Sequence, residues 1–422
     1  MTAAAGRVSG TDGGPAIRQL GLVAAVQVLA MATWFAASAA APALRDEWHL
    51  STVQATLLTT AVQLGFVVGA LASAATNLPD VVSPPRLLAV GALAAAASTA
   101  ALALVADGIV TAVPLRFVTG MALALVYPVG MKIAISWFDD RRGLAVGVLV
   151  GALTIGSTLP QLIGGSLGSA WRPALLVSSI LAAAAAVLQR WIVVGPLVTR
   201  SEGLHPRVLL TLLRDRAPRL ANLGYLGHMW ELYALWVWLP TFLVAGFRER
   251  GVDPSRSVVG VLAFVALGVC GALGCLAGGW LGDRVGRSRA AAAAMAVSGV
   301  CCLLAALTFG GSPWLVVPLV MVWGAAVIAD SAMFSACLGT VVPRRFVGTA
   351  LTLQTAMGFS LTVVTIQLLP VVAHHAGWPI AVALLSVGPL LGAVAMTRLT
   401  PLLGHLSASG GPTPAPSLEG PR

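Results

Sequence analysis

Gly224-Tyr-Leu-Gly-His-Met-Trp-Glu-Leu-Tyr-Ala-Leu-Trp-Val-Trp238 lies inside an apolar run from Leu220 to Phe247. The run exceeds the ~20 residues that a helix needs to cross a bilayer, so it reads as a membrane helix. It nevertheless carries His228 and Glu231, three residues apart and therefore on one helical face. An ionisable side chain at bilayer depth costs ~2.5–3.5 kcal/mol on insertion scales, and so it faces a cavity or a partner. Tyr225, Trp230, Tyr233, Trp236 and Trp238 crowd the same helix, and the only other tyrosine is Tyr127.

The rest of the chain repeats this pattern. Of 422 residues, 58% are hydrophobic and 9% charged, against about 25% charged in a soluble domain. That excludes a soluble fold and predicts an all-α membrane protein with its charge gathered in short connections. The net charge of +10 is no nucleic-acid footprint, because the basic residues fall between apolar runs and not along one solvated face. They read as topology signals and as contacts to anionic lipid. Cys270, Cys275, Cys301, Cys302 and Cys337 all sit in apolar segments without ligand spacing, so neither a metal site nor a disulfide framework is expected.

Twelve runs are long enough to span. The first six are Leu20–Leu44, Val53–Ala75, Leu87–Ala106, Ile109–Phe138, Leu144–Leu167 and Ala174–Val198. The second six are Leu220–Phe247, Val258–Leu281, Ala290–Phe309, Trp314–Val341, Val347–Val372 and Pro379–Leu399. Ala37-Ser38-Ala39 imitates a signal-peptidase site, but the apolar stretch before it is too long for a signal peptide, so the first run reads as an uncleaved span. The expected organisation is a disordered segment 1–19, six spans over 20–198, a polar central loop 199–219, six spans over 220–399 and a disordered tail 400–422. Alternate connections hold most of the arginines, among them Arg86, Arg141, Arg142, Arg284, Arg287, Arg344 and Arg345. By the positive-inside rule both termini are then cytoplasmic, at the plasma membrane. Arg141-Arg142-Gly143 before span five and Arg344-Arg345-Phe346-Val347-Gly348 before span eleven echo one another, which suggests a repeat of six spans.

Between spans eight and nine stands Gly278-Gly279-Trp280-Leu281-Gly282-Asp283-Arg284-Val285-Gly286-Arg287. This resembles the G-x-x-x-D-R-x-G-R loop signature of the major facilitator superfamily. The resemblance implies two pseudo-symmetric six-helix halves and a gate latch at this loop built from Gly279, Asp283, Arg284, Gly286 and Arg287. The corresponding loop between spans two and three, Gly69 to Asp80, lacks the D-R-x-G-R core. Arg116-Phe-Val-Thr-Gly120, continuing to Pro128, is similar to the family's R-x-x-x-G…P pattern in span four. There Arg116 either faces the central cavity and attracts an anion or steers a proton, or snorkels to the outer surface. Lys132 has the same two readings. Span five is glycine-rich but lacks the G-P pair of the antiporter motif.

The expected activity is therefore not enzymatic. It is proton-coupled secondary transport of a small anionic solute by alternating access, without cofactor, metal or nucleic acid, by a monomer whose partners are solute, protons and lipid. Efflux of an amphipathic, drug-like solute is the alternative, because the aromatics of span seven suit such ligands. Arg116, Tyr127, Lys132, Trp34, Trp230, Tyr233 and Gln354 are the expected solute contacts. Glu231, His228 and Asp330 are the expected proton groups. His228 and Glu231 either form a permanent pair that holds the helix or exchange protons, and Asp330 either pairs with His228 or takes up a proton itself.

Overall fold

The computed structural model describes residues 13–138, 142–198 and 212–408, and every regular element among them is helical. Among the described residues, twelve helices are long and apolar enough to cross a membrane. Spans one to six are Gly14–Trp48, Thr52–Ala75, Pro84–Val105, Ile109–Ile135, Gly143–Leu167 and Trp171–Trp191. Spans seven to twelve are Arg216–Glu249, Arg256–Val285, Arg287–Leu307, Pro313–Val341, Val347–Ala376 and Trp378–Gly404. Large apolar side chains lie on the outside, among them Val110, Ile180, Leu307 and Trp314, each more than half exposed. That surface suits a protein whose solvent is hydrocarbon.

Several boundaries differ from the sequence reading. Gly14–Gln19, expected in the disordered segment, is helical; Pro15 stands in its first turn, where a missing N–H costs nothing. Gln19 then donates to Trp191 O at 3.2 Å and accepts from Val193 N at 2.9 Å. Span six stops at Trp191 and not at Val198. Gly195-Pro196 cannot continue a helix, and the irregular segment 192–197 folds back onto the end of span four, where Gly195 N donates to Ser136 Oγ at 2.8 Å and Leu197 N to Ser136 O at 3.0 Å. Span seven starts at Arg216, inside the expected loop, and the last helix continues to Ala408. Asp139–Arg141, the loop residues 199–211 and the termini 1–12 and 409–422 lie outside the described residues. Span two begins where its sequence dictates: Ser51 Oγ accepts from Gln54 N at 3.2 Å and Gln54 Oε1 from Ser51 N at 2.9 Å, a reciprocal cap.

Spans one, four and ten are broken at mid-length. Span one breaks between Met31 and Ala36, span four between Leu123 and Tyr127, just before Pro128, and span ten at Asp330. A break frees carbonyls that no intrahelical donor reaches, and in a membrane they need another partner. Spans one and four answer each other. Arg116 of span four donates to the freed carbonyls of span one, and Gln27 of span one donates to Tyr127 O of span four at 3.1 Å. Gly130 leaves room for that amide, since a Cβ there would stand 2.3 Å from Gln27 Nε2.

Spans one to six pack mainly on one another, as do spans seven to twelve, and the groups meet along two seams. Span five lies along span eight. Their closest approach is glycine-made, for a Cβ on Gly260 would be 2.4 Å from Gln161 O. Span two lies along span eleven, where Thr56 Oγ1 donates to Gln367 Oε1 at 2.7 Å and Gln367 Nε2 to Thr60 Oγ1 at 3.4 Å.

Candidate functional site

The break in span ten brings Asp330 to span seven. His228 Nδ1 stands 2.8 Å from Asp330 Oδ1, with both side chains buried. The separation is that of an ion pair, but its angles do not make a directed hydrogen bond, and neither atom bonds elsewhere. When His228 is protonated the two attract as an ion pair at this distance, since charge attraction depends little on angle. The other ring nitrogen, Nε2, is 2.8 Å from Ser331 Oγ, the first residue of the second half of span ten. Asp330 thus stands at a half-helix N-terminus, where a negative charge is favoured.

Glu231 does not meet His228. Its Oε1 accepts from Trp323 Nε1 at 2.5 Å, Ser298 Oγ at 2.7 Å and Cys302 Sγ at 3.0 Å. These donors belong to spans nine and ten, so Glu231 lies inside the second group of spans. At 100° per residue Tyr233 is turned about 200° from Glu231 around span seven. One face of the helix therefore carries the acid and the other carries Met229, Tyr233 and Trp236.

That second face meets span one. Trp34 and Phe35, at the break of span one, Phe66 of span two, Tyr233 and Trp236 of span seven and Phe359 of span eleven form one cluster of rings. Phe66 and Phe359 have centroids 4.7 Å apart, Trp34 and Phe66 4.9 Å, Tyr233 and Phe359 5.1 Å, and Phe35 and Trp236 5.7 Å. Trp34 and Tyr233, both expected at the solute, are 6.1 Å apart. Phe35, Phe66, Trp236 and Phe359 were not singled out as solute contacts from sequence. The i, i+3 relation of Tyr233 and Trp236 is a signal that could have found Trp236, whereas nothing local marks Phe66 or Phe359.

Arg116 is fully buried. Its Nη1 donates to Thr33 O at 2.9 Å, its Nε to Leu58 O at 3.3 Å and its Nη2 to Trp34 O. Every nitrogen of the guanidinium is therefore engaged with main chain; the side chain neither snorkels outward nor offers a free fork. Lys132 pairs with Asp80 at 2.6 Å. Trp230 turns to span twelve and donates to Leu384 O at 3.3 Å. Gln354 donates to Asn222 Oδ1 at 3.1 Å and links spans eleven and seven. Tyr127 opens the second half of span four. A groove of about 590 Å³ opens on the outer surface between spans nine and ten, with apolar lining residues including Val300, Cys301, Trp314 and Pro318.

At the loop after span eight, Gly286 has φ +95° and closes the helix, a conformation that favours glycine. Arg284 lies over the Trp280 ring at 3.9 Å. The Asp283 carboxylate reaches the start of span five, with Oδ2 3.4 Å from where a Cβ on Gly143 would stand. Of the other glycines of the motif, Gly278 is pressed against Ala329 O, whereas Gly279 faces open space.

Twelve spans with broken helices around a buried charged centre define a polytopic membrane protein with the anatomy of a secondary transporter. No curated protein matches the chain. Residues 23–365 match the family model for the Major Facilitator Superfamily, and the chain belongs to that family. It is accordingly a multi-pass membrane protein and a secondary transporter of small-molecule solutes.

Proposed function

We propose that this chain couples protons to the movement of an amphipathic solute across the plasma membrane by alternating access, with both termini cytoplasmic. In this reading spans one to six and seven to twelve are the two halves that rock about the seams between spans two and eleven and spans five and eight, in a single monomer that does no enzymatic chemistry. The observation that carries the coupling is the His228–Asp330 contact of 2.8 Å at the break of span ten. A buried pair of ionisable groups has a protonation state that depends on which side water reaches it, and a half-helix joint beside it can respond.

The amphipathic solute is favoured over the anionic one by the state of the cations. An anion at Arg116 would have to displace the guanidinium from Thr33 O and Trp34 O, which the break in span one leaves without intrahelical donors, and Lys132 is already paired. The rings between spans one, two, seven and eleven instead offer apolar area. Asp283 against the start of span five supports a latch role for the loop after span eight.

The test is transport in proteoliposomes. Asp330→Asn is expected to abolish accumulation driven by a pH gradient while keeping solute exchange at equal concentrations. A variant that still accumulates solute with the gradient removes Asp330 from the coupling.

A further inference from the structure

Where the two groups of spans face each other, the ring cluster contains polar groups that nothing satisfies. Among the described residues, the indole N–H groups of Trp34 and Trp236 have no acceptor. Neither the oxygen nor the nitrogen of the Gln63 carboxamide has a partner. Trp34 is 1% exposed, Trp236 2% and Gln63 0%. Gln63 stands three residues before Phe66 in span two, and so on the face that carries a ring of the cluster. Each such orphan costs ~1–3 kcal/mol, and buried polar groups are ordinarily satisfied. Two indoles within the rings, and an amide one turn from Phe66, thus leave donors and an acceptor open to a ligand.

Resting on the transport reading above, we propose that Trp34, Trp236 and Gln63, within the rings of Phe35, Phe66, Tyr233 and Phe359, form the solute site, and that its solute is an uncharged, planar ring system bearing at least two hydrogen-bond acceptors. The rings supply faces for stacking. The two indole N–H groups each seek an acceptor, and Gln63 supplies one further donor and one acceptor. Charge is argued against on both signs. Arg116 has each nitrogen committed to backbone. Asp330 is paired with His228, and Glu231 is held on the opposite face of span seven. Aromatic cages can hold cations, but quaternising one ring nitrogen of a diaza ring removes an acceptor and would leave one indole N–H bare. In the present conformation the rings touch one another, so the solute enters as the two groups of spans part.

The test varies the ligand and leaves the protein intact. Anthracene, acridine and phenazine share one flat tricyclic shape and differ in having none, one and two ring-nitrogen acceptors. Their binding to the full-length protein in detergent is measured by equilibrium dialysis in mildly alkaline buffer, where acridine is uncharged. The expected order is phenazine over acridine over anthracene, roughly tenfold for each acceptor. Trp34→Phe and Trp236→Phe should each remove about tenfold of the phenazine advantage and leave anthracene nearly unchanged. Equal affinities for the three compounds, no binding of phenazine, or an advantage that survives both substitutions overturns the site. Tighter binding of N-methylphenazinium or of phenazine-1-carboxylate than of phenazine overturns the uncharged solute. Because dialysis needs no gradient, its failure is separable from that of the coupling. A protein that binds phenazine but accumulates no solute in response to a pH gradient loses the proton coupling and keeps the site, whereas one that accumulates other solutes and ignores phenazine does the reverse.

Discussion

Both groups of six spans bury charge at a broken helix, but they hold it differently. In the first, Arg116 is held by backbone carbonyls, and Gln27 returns the same service to the break in span four. In the second, Glu231 is held by the side chains of Trp323, Ser298 and Cys302, and Asp330 meets the His228 side chain at a half-helix N-terminus. A carbonyl cannot titrate and cannot swing away, so the first arrangement is permanent. Side-chain partners can change protonation state and rotamer, so the second can have two states. A buried charge is thus a joint in one region and a candidate switch in the other.

The largest expected effect lies in the joint. Arg116→Ala leaves Thr33 O and Trp34 O without a donor, at about 1–3 kcal/mol each, and should show as a marked fall in the unfolding temperature of the purified protein. Arg116→Lys should recover only part of it, because one ammonium cannot reproduce a planar fork. An Arg116→Ala protein with unaltered stability and lost solute binding would reverse the comparison and return Arg116 to the solute. Gln27→Leu attacks the same joint from the other side. It removes the side-chain donor from Tyr127 O and should cost at most about 1.5 kcal/mol in the same measurement.

On the other side of the comparison, Glu231→Gln should be milder still. The amide keeps an oxygen for Trp323, so a loss near 1 kcal/mol is expected, and accumulation under a pH gradient should persist. If that accumulation vanishes while exchange remains, Glu231 and not Asp330 carries the proton. The smallest effect belongs to Asp283→Asn, where the two groups touch. An exposed charge at a helix start changes an equilibrium by about two- to fivefold. Transport should slow by that factor with insertion and folding intact; an unchanged rate would exclude the latch.

The number and order of spans were legible in the sequence because bilayer thickness imposes a length that apolar runs display directly. The breaks were marked but not read: Pro128 and the Gly-Pro pair at 195–196 each remove a donor and restrict the preceding residue, yet the apolar runs of spans four and six continue through them. The break at Asp330 carries no such mark, and only the polar residue in an apolar run drew attention to it. Membership of the superfamily could be read from Gly278 to Arg287, since a loop motif is local in sequence.

Partners across the fold could not be read in this way. The three-residue spacing of His228 and Glu231 places both on one side of span seven, yet the turn between them is enough to send His228 to Asp330 and Glu231 to Trp323. Arg116 in a cavity-facing pattern looks identical in sequence whether its guanidinium meets an anion or carbonyls. What decided between them was the kink at Met31–Ala36, which lies more than eighty residues away and bares Thr33 O and Trp34 O beside it. Helix periodicity determines which residues share a face; which neighbour that face meets depends on the packing of helices distant in the chain, and this chain's tertiary structure alone contains it.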